Sequence, residues 1–236
     1  MVACLTMLGT NPARPQELAS DGTLWVQEVF YTLQGEGPFS GEPALFVRLA
    51  GCNLRCHFCD TDFESSTYRP SVAELLREID ARSPPGCELV VVTGGEPFRQ
   101  NIGPLVSDLL ARGRRVQIET SGSLWLALPE HPRLTIVCSP KTERLHPRLA
   151  PRVDVYKYVV AAGETDAADG LPSTSTQDAT RRAQLARPPR GARVYVVPRD
   201  DRDAARNREN QRAATEIALR FGYRLSLQIH KLVQIP

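Results

Sequence analysis

No stretch of the sequence stays apolar for the roughly 18 residues that a membrane-crossing helix needs. A basic start followed by an unbroken apolar core, which marks a secretory signal peptide, is also missing, because Thr6 and Gly9 interrupt the first apolar patch. Charge is nearly balanced, since 29 Lys and Arg oppose 27 Asp and Glu and leave a net charge of +2. The sequence therefore gives no electrostatic reason to expect nucleic acid or a membrane as partner, and we expect a cytoplasmic protein.

Cysteine is too scarce for a disulfide scaffold, since the 236 residues contain six. Half of them fall within eight residues, and in a reducing compartment that spacing favours a metal centre over a disulfide bridge. These three residues are Cys52, Cys56 and Cys59. The other three are expected to be ordinary small side chains.

Short apolar segments rich in β-branched residues predict buried strands at 44–49, 88–93, 115–120, 134–139, 155–160 and 192–197. Helical periodicity appears in three stretches between and after these segments. The first begins at a capping-box pair, Ser71 and Glu74. Asn101 is expected to cap the second, which Gly113 ends, and Gly222 ends the third.

This alternation predicts the fold. Six units of strand then helix indicate parallel strands joined by right-handed crossovers. Because a closed barrel needs eight units, the predicted fold is α/β, a partial (β/α)6 TIM-like barrel forming a single domain over 24–236. Residues 1–23 contain prolines and small polar residues without periodicity, which predicts a poorly ordered N-terminal extension. The polar stretch 163–177 predicts a long surface loop.

Unusual residue clusters follow four of the predicted strands. In parallel α/β folds the loops at the carboxyl ends of the strands carry the chemistry. Each cluster alone could be a turn, since Gly, Pro, Asn and Ser favour turns. Four in succession predict an active site at this edge of the sheet. The clusters are GCNLRCHFCD (51–60), TGGEP (93–97), ETSG (119–122) and SPK (139–141).

The three clustered cysteines form a C-x3-C-x2-C pattern on a loop, and a loop can wrap thiolates around a compact cluster. Three thiolates would hold three irons of a [4Fe–4S] cube and leave the fourth iron open to a chelating ligand. The alternative is a zinc site that takes His57, Cys87 or Cys138 as the fourth ligand. Zinc sites usually combine two separated ligand pairs, and the sequence has no second C-x2-C. The pattern therefore favours iron and sulfur.

CNLRCHFC with a downstream GGEP resembles the radical S-adenosylmethionine (SAM) superfamily, which has the predicted partial-barrel fold. Within that superfamily, residues 24–236 resemble the 7-carboxy-7-deazaguanine synthase family of queuosine biosynthesis. The segments that carry this resemblance are FYTLQGEG (30–37), Arg48, CDTDF (59–63), VTGGEP (92–97), IETSG (118–122), SPK (139–141) and QIHKLVQIP (228–236).

The resemblance implies a carbon–nitrogen lyase that converts 6-carboxy-5,6,7,8-tetrahydropterin to 7-carboxy-7-deazaguanine with loss of ammonia, through a 5′-deoxyadenosyl radical. It implies one [4Fe–4S] cluster per chain, SAM that is regenerated, Mg²⁺, a homodimer, and a one-electron donor such as flavodoxin. Two alternatives remain open. One is another small radical SAM enzyme, such as a glycyl-radical activase, although QGEG and the C-terminal motif argue against it. The other is a zinc-stabilised binding module without catalytic activity.

The resemblance also implies roles for individual residues. The cluster ligands would be Cys52, Cys56 and Cys59, and Thr61 would bind Mg²⁺. The predicted SAM contacts are Phe58, Cys59, Asp60, Gly95, Glu96, Ser139, Pro140 and Lys141. The predicted substrate contacts are Leu33, Gln34, Gly35, Glu36, Arg48, Thr93 and Pro236.

Two positions stay undecided. Val197 is apolar where the family pattern would have a polar side chain, which puts a SAM contact there in doubt. His230 lies on a strand-like run near the C-terminus and could face the site or be structural.

Overall fold

The structure, a computed structural model, describes residues 11–18 and 21–235. Its centre is one sheet of eight strands in the order of the chain. The strands are β1 (Val26–Leu33), β2 (Pro43–Leu49), β3 (Leu89–Gly94), β4 (Arg115–Thr120), β5 (Leu134–Cys138), β6 (Val155–Val160), β7 (Arg193–Pro198) and β8 (Arg224–Leu225). The helices are α1 (Val72–Arg82), α2 (Gly103–Ala111), α3 (Ala204–Phe221) and α4 (Ile229–Val233).

Strands β2 to β8 run parallel to one another, and β1 is an antiparallel strand at the edge beside β2. The six predicted strands and the partial-barrel architecture are therefore confirmed, while β1 was not predicted. None of the helices in the described parts of the chain is long and apolar enough to cross a membrane.

The prediction that each of the six parallel strands is followed by a helix is wrong for three of them. Long α-helices follow β2, β3 and β7, whereas the described crossovers after β4, β5 and β6 contain no α-helix. Those crossovers are 121–133, 139–154 and 161–192, and each contains prolines. Proline lacks the amide hydrogen of a helix interior and clashes with the preceding turn, so these segments fold as irregular loops.

The helix ends follow the local sequence with one exception. The Ser71 side chain accepts a hydrogen bond from the Glu74 amide, and the Glu74 side chain accepts one from the Ser71 amide, so the capping box is confirmed. Gly222 ends α3 in the left-handed conformation, with a φ of 71°. Asn101 does not cap α2, because that helix begins one residue later, after Ile102, with a proline in its first turn.

The helices cover one face of the sheet and leave polar groups on the other. Most of the core packs α1 and α2 against β1 to β5, and a second cluster packs α3 against β6 and β7. Gln117 and Lys157 are buried although they lie on the apolar strands β4 and β6. Their side chains face the interior of the partial barrel, where the cavity described below lies.

The loop 163–177 is irregular, as predicted, but it is not confined to the surface. Ser175 and Thr176 are buried, and the Thr176 hydroxyl donates to the Lys141 carbonyl at 2.7 Å. The Thr176 carbonyl accepts the His57 amide at 2.9 Å. Hydroxyl groups that find backbone partners let this polar segment pack over the cysteine loop.

The predicted N-terminal extension of residues 1–23 is described in part, since 1–10 and 19–20 lie outside the described residues. Residues 11–18 lie against the body of the protein. Ala13 forms a parallel bridge with Cys52, and the Glu17 amide donates to the Arg99 carbonyl at 2.7 Å.

We predict that Ser71→Ala lowers the free energy of unfolding by about 1 kcal/mol, because α1 loses its capping box. Chemical denaturation measures this change. Thr215→Ala is the matched control, since that hydroxyl bonds only to the carbonyl of Gln211 in its own helix. An equal loss in both variants would contradict the role of the cap.

Candidate active site

One cavity of about 680 Å³ opens at the carboxyl ends of the parallel strands. It brings together most of the residues that the sequence predicted for the site. Those that line it are Leu33, Gln34, Gly35, Glu36, Arg48, Cys52, Cys56, Phe58, Cys59, Asp60, Thr61, Thr93, Gly95, Ser139 and Lys141. Pro140 instead lines a small neighbouring cavity. Glu96 is not among the lining residues, and Pro236 lies outside the described residues.

The three cysteines sit on a loop that leaves β2 and folds into a tight turn. The Cys59 amide donates to the Cys56 carbonyl at 3.1 Å, and the Leu54 amide lies 3.4 Å from the Cys52 sulfur. None of the three is in a disulfide. Burial raises the pKa of the Cys52 thiol to about 12 and also raises that of Cys59. A bound metal cation would oppose this effect and favour the thiolate forms of Cys52 and Cys59.

The other described cysteines are placed as ordinary core residues. Cys87 is buried before β3, at the end of the sheet opposite the cavity. Cys138 is buried at the end of β5, under Gly122. Neither lines the cavity with the loop cysteines.

The three loop thiols fit a cluster of iron and sulfide. A cube of iron and sulfide takes one thiolate per iron, so three thiols that line one cavity can hold three of its irons. Among residues 11–18 and 21–235, no three Cys, His, Asp or Glu side chains surround one metal-ion position.

A buried ion network forms the wall opposite the cysteine loop. The Lys157 ammonium lies 2.7 Å from the Glu36 carboxylate and 3.3 Å from the Glu119 carboxylate. Gln228 donates to Glu36 at 2.7 Å, and Gln34 donates to Glu119 at 3.2 Å. Every charge of this network is thereby paired or hydrogen-bonded, as buried charges require.

The network fixes the protonation states of Glu36 and Lys157. Burial alone would raise the pKa of Glu36, but the charge and hydrogen bond of Lys157 lower it to about 2. Burial alone would lower the pKa of Lys157, but Glu119 and Glu36 outweigh burial and raise it. At neutral pH the cavity wall therefore presents an ionised Glu36 held by a protonated lysine.

Lys157, Glu119 and Gln228 were not among the predicted site residues. The sequence does contain a feature that points to Lys157. This lysine lies in the middle of the apolar strand VYKYVV (155–160), where burial is costly without a partner of opposite charge. Glu119 lies in the segment IETSG, to which no role was given. Its partners depend on how distant strands meet, and the sequence pattern does not reveal that.

Arg48 lies in the cavity beside β1. Its Nε is 2.7 Å from the Glu28 carboxylate, and its guanidinium stacks over the Phe30 ring at 5.3 Å. The aromatic ring and the carboxylate orient the guanidinium along the cavity wall.

Two glycines allow the end of β3 to touch the start of the cysteine loop. The Gly95 amide donates to the Leu49 carbonyl at 3.1 Å, and the Glu96 amide donates to the Gly51 carbonyl at 3.0 Å. A Cβ on Gly94 would lie 2.1 Å from the Leu49 carbonyl oxygen, and one on Gly95 would lie 2.1 Å from that of Gly51. Since both neighbours are backbone atoms, a side chain at either position forces the two segments apart.

The Glu96 carboxylate is buried and points away from the cavity. It accepts hydrogen bonds from the Thr120 hydroxyl at 2.7 Å, the Ser121 amide at 2.8 Å and the Phe98 amide at 3.1 Å. These bonds tie the TGGEP turn to the ETSG turn on the next strand. The geometry gives Glu96 a supporting position where the sequence predicted a SAM contact.

Helix α4 closes one side of the cavity. The strand-like run expected around His230 is wrong, because Ile229–Val233 form this short helix. Lys231 on this helix pairs with Asp60 of the cysteine loop at 2.7 Å and with Asp200 at 2.8 Å.

Both positions that the sequence left undecided line the cavity. His230 lies against Gly35, where a Cβ would overlap its Nδ1. Burial lowers the pKa of His230, so its ring is neutral at neutral pH. Val197 contributes an apolar part of the wall.

The chain resembles proteins of known activity over nearly its whole length. Residues 47–134 match the family described as the Radical SAM superfamily. Over 234 residues the chain is 59% identical to the 7-carboxy-7-deazaguanine synthase of Rhodospirillum rubrum, which covers 97% of this chain and 100% of that protein. The chain belongs to the 7-carboxy-7-deazaguanine synthase family.

Two further matches are more distant but cover similar shares of the chain. The 7-carboxy-7-deazaguanine synthase of Rickettsia prowazekii is 37% identical over 240 residues, 97% of this chain and 96% of that protein. The crystal structure of QueE from Escherichia coli superposes with a TM-score of 0.65 at 27% identity, covering 87% of this chain and 94% of that chain. The synthase resemblance inferred from the sequence motifs is therefore confirmed.

We predict that Gly95→Ala lowers the free energy of unfolding by about 2 kcal/mol and lowers the iron retained per chain, because the new Cβ meets backbone. Thermal unfolding and iron analysis after anaerobic reconstitution measure the two effects. Gly103→Ala is the control, since its Cβ would meet only a side-chain oxygen at 3.4 Å and a carbonyl at 3.8 Å. Unchanged iron content in Gly95→Ala would contradict the close approach.

Proposed function

We propose that this synthase-family chain converts 6-carboxy-5,6,7,8-tetrahydropterin to 7-carboxy-7-deazaguanine with loss of ammonia, as a radical SAM carbon–nitrogen lyase. The observation that carries the proposal is the joining of three free loop cysteines and a buried ion network in one cavity. The cysteines supply a site for the cluster, and the ion network supplies fixed polar groups that can bind a small heterocycle.

The cofactors of this enzyme are one [4Fe–4S] cluster, SAM and Mg²⁺. When bound, the reduced cluster would supply the one electron that cleaves the SAM sulfonium to methionine, and SAM would supply the 5′-deoxyadenosyl radical for removal of a hydrogen atom from the substrate. Cys52, Cys56 and Cys59 would hold the cluster. The Thr61 hydroxyl, which lines the same cavity, would be one ligand of a Mg²⁺ that keeps several waters.

SAM would lie between the cysteine loop and the ends of β3 and β5. Gly95 leaves room for backbone contact there, and Phe58 offers an apolar surface. Ser139 and Lys141 face this side, with the half-buried Lys141 ammonium bonded to the Ser139 carbonyl at 3.1 Å. The cation is placed to meet a carboxylate, which would offset its burial.

The substrate would lie against the ion network. The carboxylate of Glu36 and the amide of Gln34 can pair with the donor and acceptor edge of the pterin. Glu119 and Thr93 line the adjacent wall, and Arg48 can bind the substrate carboxylate in a two-pronged contact. Glu36 is already ionised, so it accepts hydrogen bonds without a proton transfer.

Three predicted residues take different parts in this proposal. Glu96 would support the TGGEP and ETSG turns instead of contacting SAM. Pro140 would shape the wall behind Lys141. Pro236 stays a proposed substrate contact, by the family resemblance alone.

We also propose an oligomeric state, a cellular location and an electron donor for the enzyme. We expect a homodimer in the cytoplasm that receives its electrons from a one-electron donor such as flavodoxin. Near-neutral net charge and the family resemblance support this expectation.

A turnover assay tests the function. Reduced, reconstituted protein with SAM, Mg²⁺ and the carboxytetrahydropterin is expected to form 7-carboxy-7-deazaguanine. Cys56→Ala should form none, and Cys87→Ala should match the native chain because Cys87 lies at the far end of the sheet. Efficient 5′-deoxyadenosine release without the deazaguanine would favour a different radical SAM enzyme, such as a glycyl-radical activase.

We predict that Lys157→Gln abolishes substrate turnover while the protein still binds its cluster and SAM. The substitution leaves the Glu36 and Glu119 carboxylates buried without their cation, so the pKa of at least one rises and the wall loses its charge pattern. Product formation and the visible absorbance of the cluster measure the two properties separately. Arg112→Gln is the control, since it removes an exposed ion pair with Asp80 that lies outside the cavity. Normal turnover in Lys157→Gln would contradict the role of the network.

A further inference from the structure

Residues 11–17 form a segment, here called the N-terminal strap, that crosses both ends of the cysteine loop. At one end, Ala13 forms a parallel bridge with Cys52, and the Arg14 amide donates to the Cys52 carbonyl at 2.7 Å. At the other end, the Asn11 side-chain amide donates to the Thr61 carbonyl at 2.9 Å. One short segment therefore bonds to the first cluster ligand and to the residue proposed for Mg²⁺.

The strap is itself fixed to the body of the protein beside the TGGEP turn. The Glu17 amide donates to the Arg99 carbonyl at 2.7 Å. Gln16 donates from its side chain to the carbonyls of Phe98 at 2.7 Å and Trp125 at 2.9 Å. Arg99, which is buried, donates to the Pro15 carbonyl at 3.2 Å. The acceptors of these bonds are all backbone oxygens, and the side chains of Gln16 and Arg99 supply three of the donor contacts.

Arg14 adds a side-chain clamp on the segment that follows the cysteines. Its guanidinium contacts the Glu64 carboxylate at 2.7 Å and lies over the Trp25 ring at 5.0 Å. Trp25 in turn donates from its indole nitrogen to the Ser66 carbonyl at 2.7 Å. The return path of the cysteine loop is thus held by the strap and by Trp25 together.

The loop between Cys52 and Thr61 contains no regular helix or strand longer than a bridge. Such a loop has many conformations, and joining its two ends to one fixed segment removes part of that freedom before any cofactor binds. A preformed loop presents its thiolates in one arrangement and loses less entropy when it binds.

We propose that the N-terminal strap is a positioning element that preorganises the cysteine loop for both the iron–sulfur cluster and Mg²⁺. Its residues do not line the cavity that would hold these groups. They act through the carbonyls of Cys52 and Thr61 and through Glu64. This role goes beyond the proposed reaction, although its cofactor readouts rest on the cluster being present.

Two truncations test the proposal. Removal of residues 2–17 deletes the strap, whereas removal of residues 2–10 leaves it and serves as the control. In apo-protein, hydrogen exchange of peptides covering 51–64 is expected to speed up severalfold without the strap, while peptides of α1 stay unchanged. With reconstituted protein, the strapless chain is expected to lose its cluster to a chelator severalfold faster and to need more Mg²⁺ for half-maximal turnover.

Arg14→Gln provides a second variant that keeps the backbone of the strap, and Arg69→Gln is its matched control. Arg69 also lies over the Trp25 ring, at 4.7 Å. Arg14→Gln is expected to speed the loss of the cluster to a chelator, as the truncation does. Arg69→Gln is expected to leave that rate unchanged. If the truncation lowers only the melting temperature and leaves loop exchange, cluster loss and Mg²⁺ response unchanged, the proposal is overturned. A full-length chain that assembles no cluster would instead count against the proposed function, since the exchange experiment needs none.

Discussion

The contact between the end of β3 and the start of the cysteine loop determines where the parts of the site lie. Amides of Gly95 and Glu96 bond to carbonyls of Leu49 and Gly51, and the missing side chains of Gly94 and Gly95 make that distance possible. The same turn continues into Glu96, whose carboxylate ties it to β4. The cysteine loop is therefore anchored to two strands beside the open end of the barrel, and the strap at 11–17 adds a third attachment.

The opposite wall depends on electrostatics. A lysine buried on β6 is stable there because two carboxylates pair with it, and the lysine in turn lowers the pKa of the Glu36 carboxyl. The result is a set of polar groups whose orientation is settled before a ligand arrives. Preorganised groups of this kind are what a site needs to orient a small polar heterocycle beside a reactive radical.

Much of the fold follows from local patterns in the sequence. Apolar runs such as ELVVVT (88–93) remove their side chains from water by forming buried strands. The pair Ser71 and Glu74 marks the start of a helix without help from distant residues. The cysteine loop was recognisable because its ligands are close in the chain. Lys157 pairs with Glu36 across 121 positions, and Glu96 turns toward Thr120, so both assignments depend on how the barrel closes. The crossovers after β4, β5 and β6 contain no α-helix. The spacing of the apolar segments therefore predicts that the strands are parallel, but it does not predict the structure of the segments that connect them.

The most direct test of the central claim is electron paramagnetic resonance of the reduced, anaerobically purified protein with and without SAM. A cluster held by Cys52, Cys56 and Cys59 has one iron without a protein ligand, so the account predicts a [4Fe–4S] signal that changes when SAM is added. The Cys87→Ala chain should behave in the same way. A signal that SAM leaves unchanged, or one zinc per chain in place of iron, would contradict the account.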